Sequence, residues 1–165
     1  MRREELRTAA ELFAENFRLN TGKSWVTAAA VLCMVPLYRG ISNLDALHSA
    51  ECLNEAAVFA GILLLTPAGA PEQDGRIREL IRSKYIRRIA VIMLRLLMAA
   101  AAAAVSIAVF AMVMRSCGCR FPYAEYTAAA VMRAFLFGGT GAAAGLGAEN
   151  VIVGYLVAAG MYLLF

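Results

Sequence analysis

Residues 59–98 read FAGILLLTPAGAPEQDGRIRELIRSKYIRRIAVIMLRLLM. The stretch starts apolar, breaks at Thr66-Pro67 and passes through Pro71-Glu72-Gln73-Asp74-Gly75. It then turns strongly basic and becomes apolar again without another break. Six cations (Arg76, Arg78, Arg82, Lys84, Arg87, Arg88) lie between two hydrophobic runs. A soluble core does not bracket such a cluster with apolar runs this long. Two membrane helices joined by a basic hairpin do, and short loops rich in Lys and Arg stay on the cytoplasmic side.

The whole chain agrees with that reading. Its 165 residues are 61% hydrophobic, with a mean hydropathy of +0.65, well outside the range of ordinary soluble domains. The apolar residues come in blocks of membrane length, so an all-α polytopic transmembrane bundle is expected. The net charge of +4 is not a nucleic-acid footprint. The cations concentrate at the N-terminus and in the hairpin, where an anionic cytoplasmic leaflet supplies the partner. No cleavable signal peptide is expected, because charged and polar residues recur along the first 24 positions and no short basic stretch is followed by an apolar one there. The glycine-rich run 138–145 has no Lys to reach a phosphate and reads as small residues for helix contact.

Toward the N-terminus, residues 1–23 form the expected amphipathic cytoplasmic helix. Leu6, Ala9, Ala10, Phe13 and Phe17 share one face, and Arg2, Arg3, Glu4, Arg7, Glu11 and Glu15 the other. Such a helix either lies in the membrane interface or packs on another subunit. A first span is expected at about 24–41, with Trp25 and Tyr38 in the two interfacial belts and Pro36 kinking or ending it. Residues 39–55 read as an outer loop poor in cations, with His48, the only histidine, as a solvated loop residue. No second histidine exists to build a metal site, and none is expected. The second span, about 53–66, is short for a bilayer, which takes about 20 residues. Its outer end therefore includes Leu53 and Asn54, or the helix is thinned or broken.

Toward the C-terminus, the hairpin 67–88 runs into a third span at 89–114, whose residues cover roughly 39 Å. Arg95 lies inside it. It either snorkels to cytoplasmic headgroups or pairs with Glu149 or Glu72. The run Ala99–Ala104 suits close helix packing. An outer loop with Cys117-Gly118-Cys119 follows, and a disulfide between Cys52 and Cys117 or Cys119 is possible on that side. Arg133 is the second intramembrane cation, in the outer third of a fourth span at 127–148. A partial fifth span occupies 151–165, about 22 Å against a bilayer core of about 30 Å. The transmembrane domain thus covers 24–165 with four full spans and a partial fifth, its N-terminus cytoplasmic. The last span is expected to be cut short, re-entrant or completed by another protein.

The pattern resembles the membrane-spanning permease subunit of ABC transporters, in the type-2, exporter-like family. The residues that carry the resemblance begin with the amphipathic helix before the first span and the Arg of IMLRLL at 92–97. The hairpin adds a Pro71-Glu72 turn, then Glu79-Leu80 and Ser83-Lys84, then basic residues leading into the third span. Last is the small-residue helix FLFGGTGAAAGLGAENVIVGYLVA at 135–158, with its Asn turn and Gly-Tyr start. The family normally has six spans. The resemblance implies a non-enzymatic, dimeric permease in a bacterial-type plasma membrane, paired with a second or related permease and surrounded by membrane lipids. ATP would be bound and hydrolysed on a separate ABC ATPase subunit, with no cofactor on this chain. It also implies that Glu72, Arg76, Glu79, Arg82 and Lys84 form the surface that docks into that ATPase.

Other readings are a non-transporting membrane scaffold, an ATP-independent channel or secondary transporter, and an intramembrane enzyme. The expected spans offer only Ser106, Thr27, Thr140, Arg95 and Arg133, with no carboxylate or histidine. That argues against an enzyme and against an ion-coupled carrier.

Overall fold

A computed structural model describes residues 22–68 and 88–164. The expected amphipathic helix and most of the hairpin, with Glu72, Arg76, Glu79, Arg82 and Lys84, lie outside the described residues. All regular structure among the described residues is helical: α1 (Gly22–Arg39), α2 (Ala46–Leu65), α3 (Arg88–Ser116), α4 (Tyr123–Gly147) and α5 (Val151–Leu164).

Local chemistry sets the ends of these helices. α1 runs through Pro36 and stops three residues later. There Gly40, at φ +71°, donates its N–H to the Pro36 carbonyl at 3.0 Å. This is a left-handed C-terminal cap, which glycine adopts without a Cβ penalty. α2 opens on Asp45, whose carboxylate accepts from the His48 backbone N–H at 3.2 Å and contacts the His48 ring Nδ1 at 2.6 Å. The α4–α5 turn is a Schellman cap with Glu149 at φ +49°. The Asn150 N–H reaches the Gly145 carbonyl at 3.0 Å, and Asn150 Oδ1 then accepts from the Ile152 N–H at 2.9 Å.

The start of α2 corrects the sequence expectation. The first loop is 40–45 rather than 39–55, because the Asp45 cap starts the helix at Ala46. His48, Glu51, Cys52 and Glu55 are therefore helical, and with its terminal turn the segment Ala46–Ala68 is a 23-residue candidate span. The statement that the spans hold no carboxylate or histidine falls with it. Among the described residues, three helical segments are long and apolar enough to cross a membrane: Ala46–Ala68, Ile92–Ser116 and Tyr123–Gly147. Ser24–Arg39 and Val151–Leu164 are shorter apolar helices among the described residues. Trp25, expected in an interfacial belt, instead donates its indole N–H to Ser106 Oγ at 3.1 Å, well inside α3.

α2 is the central helix. It packs most extensively on α4 and also against α3 and α1, while α5 lies along α4. In keeping with this, 61% of its most apolar window is buried, against 33% for α3 and 39% for α4. The outer faces of α1, α3, α4 and α5 present Met34, Leu37, Met93, Leu97, Val109, Met112, Met132, Ile152 and Leu156. An apolar exterior of this extent belongs in lipid.

The helices touch through small residues. A Cβ added at Gly61 would lie 2.7 Å from Ala134 Cα, and one at Gly138 would strike the Gly61 backbone. Gly141 and Gly154 face each other around Thr66 in the same way, with Ala158 beside them. The reading of the glycine-rich run as a packing surface therefore holds. Of the alanine run, Ala99 and Ala103 pack against Ala28, Leu64 and Leu65.

At one end of the bundle, here called the loop end, the 40–45 and 117–122 connections are tied together. Asn43 donates its N–H to the Cys117 carbonyl at 3.1 Å, and the Cys119 thiol donates to the Ile41 carbonyl at 3.2 Å. The opposite end carries the α4–α5 turn and the two helix ends that the hairpin connects.

The helix cap makes a pH prediction. Hydrogen bonds from the His48 side chain and backbone hold the Asp45 carboxyl below its ordinary value. Its folded-state value is lower than its unfolded one, so the stabilisation is complete above the carboxylate range. It is lost as pH falls through the depressed value. Between about pH 5 and about pH 3, Asp45→Asn, which still caps, should lose less thermal stability than the wild type. Equal acid sensitivity in melting curves would contradict the cap.

Candidate functional site

The charges of α2 point to a site. Glu51 and Glu55, spaced i and i+4, share one helix face, and the α1 C-terminus brings Arg39 to both. Arg39 Nη1 donates to Glu51 Oε2 at 3.4 Å, and Nη2 donates to Glu55 Oε1 in a closer contact. One guanidinium thus bridges two carboxylates from a helix end that favours a cation.

This cluster forms one wall of a groove of about 780 Å³ between α2, α4 and α5. Asn54, Glu55 and Val58 line the α2 side, Arg133, Leu136 and Phe137 the α4 side, and Met161 and Tyr162 the α5 side. The Tyr162 ring contacts Phe59 at a centroid distance of 5.7 Å and Phe137, edge-on, at 6.2 Å. The groove therefore joins an aromatic and aliphatic floor to charged groups of both signs.

Arg133 is solvent-accessible and makes no hydrogen bond or ion pair among the described residues. It lies about 15 Å along α4 from Tyr123, and Glu55 lies about 14 Å along α2 from Ala46. Both helices start at the loop end, so the opposite charges flank the groove at similar depth.

The other sequence candidates fall elsewhere. Arg95, on α3 in the half nearer the hairpin, is 9% exposed and so enclosed by protein. The arginines of these two candidate spans therefore do not meet. All four cysteines are free thiols. Cys52 and Cys119 are buried in one apolar cluster with Leu53, Phe110 and Met114, and Cys117 is not part of it. Among the described residues no group of three or more His, Cys, Asp and Glu side chains is placed to hold a metal ion.

Sequence reasoning missed Arg39, Glu51 and Glu55 as a unit, because residues 39–55 read as a polar loop. The available signal was Asp45 followed three residues later by His48 and then by carboxylates at helical spacing.

No protein-family model, curated protein or solved structure matches this chain.

Proposed function

We propose that the chain is the membrane permease subunit of an ATP-driven, exporter-like ABC transporter. In this reading it lies in a bacterial-type plasma membrane, with the N-terminus and the 67–88 hairpin in the cytosol. The observation that carries the proposal is the charged connection itself. Nine basic and acidic side chains are concentrated between Glu72 and Arg88, joining two helical segments of membrane-crossing length. A connection of that size and mixed charge suits a protein partner on the cytoplasmic side better than a simple turn does. The glutamates and cations of the hairpin would form the surface that receives movement from a separate ATPase. A second permease copy would complete the pathway.

The test is co-expression with an ATPase bearing a GxxxxGK[ST] phosphate loop, encoded beside this chain. The two proteins should co-purify through detergent extraction, and ATP hydrolysis should rise in the complex. Failure of every such neighbour to associate would remove the proposal.

Glu51 and Glu55 favour a second reading. A carboxylate on a candidate span is what an ion-coupled carrier uses. Uptake into vesicles driven by a proton gradient without ATP, and abolished by Glu55→Gln, would favour this alternative.

A further inference from the structure

We propose that the groove between α2, α4 and α5 seats a membrane phospholipid with an ethanolamine headgroup, its phosphate on Arg133 and its ammonium on Glu51 and Glu55. The two walls of the groove carry opposite charge. Arg39 carries one positive charge and touches two carboxylates, so that wall keeps a net negative charge. Across the groove, Arg133 supplies a positive charge with no carboxylate beside it among the described residues.

A zwitterionic headgroup matches both walls at once. The guanidinium fork suits a phosphate, and carboxylate oxygens beyond those used by Arg39 can accept from a primary ammonium. An anionic phosphatidylglycerol would satisfy Arg133 but leave the carboxylate wall uncompensated. Below the charges, Val58, Leu136, Phe137 and Met161 offer an apolar surface to an acyl chain. The placement also accounts for a cation on the accessible face of a membrane-length helix, a costly position unless an anion meets it.

The proposal is independent of ATPase coupling, and its test reads lipid alone. The purified chain is exchanged into detergent with equimolar phosphatidylethanolamine and phosphatidylglycerol, and retained lipid is counted by native mass spectrometry. The wild type should keep one phosphatidylethanolamine in preference to phosphatidylglycerol. Arg133→Gln, a change at an exposed side chain, should melt as the wild type does and retain about tenfold less. Glu55→Gln should shift the preference toward phosphatidylglycerol. Equal retention of both lipids by the wild type, unchanged retention in Arg133→Gln, or an unshifted preference in Glu55→Gln would each overturn the assignment.

Discussion

Replacing Glu79 and Arg82 together with Ala should abolish most ATP-dependent transport while leaving membrane insertion and bundle stability unchanged. Both residues belong to the charged connection, beyond the apolar run that ends α2 and before the one that forms α3. Neither apolar run loses a side chain, so nothing that drives insertion changes. What is lost is one charge of each sign from a surface proposed to hold an ATPase. Truncating partners of a charged interface typically costs 2–5 kcal/mol, or about thirtyfold and upward in affinity. ATP hydrolysis by the reconstituted complex, with and without substrate, is the measurement. Hydrolysis and transport at wild-type rates would mean that the hairpin is not the coupling element.

A comparable loss, of stability rather than activity, is expected from Gly61→Leu and from Gly138→Leu. These glycines form the crossing of α2 and α4, where an added Cβ would strike backbone atoms of the facing helix. Backbone cannot swing aside as a flexible side chain can, so the helices must separate. Overpacking of a close-packed core costs about 1–3 kcal/mol, and a clash with main chain belongs at the upper end. For a chain of this size, about 3 kcal/mol lowers the melting temperature by roughly 6–12 °C. Gly139→Ala and Gly160→Ala provide the contrast, since an added Cβ meets nothing within 4 Å at either position. Both should melt at the wild-type temperature or up to about 4 °C above it, because alanine is the better helix former by up to about 1 kcal/mol. Unchanged melting in Gly61→Leu would place the α2–α4 contact elsewhere.

How far the fold could be read in the sequence follows from which forces act locally. The apolar blocks of α3 and α4 announce themselves, because nearly every side chain in them belongs in hydrocarbon. The small-residue run 138–145 also gave its role, since only close helix approach explains so many glycines and alanines at membrane depth. α2 was misjudged at its start. Its first turns carry His48, Glu51 and Glu55, which lower the hydropathy, and their compensation comes from Arg39 on a different helix. That ion-pair cluster is a tertiary fact, invisible to a scan for apolar runs. Asp45 was the one local sign that a helix begins there. The candidate groove was legible only in part. Arg133 stood out as a cation inside a span, but the carboxylates across from it were assigned to a loop. Arg95 stood out for the same reason, yet it lies in a different half of the bundle and is buried.

The account rests most heavily on where the 67–88 connection sits, and labelling one position tests this directly. A Ser83→Cys variant, in a background with the four native cysteines replaced, is treated with a membrane-impermeant thiol reagent in intact cells and in inside-out vesicles. Labelling in the inside-out vesicles alone is the expected result, placing the basic connection in the cytosol within reach of an ATPase. Labelling in intact cells would put the connection outside and contradict the account.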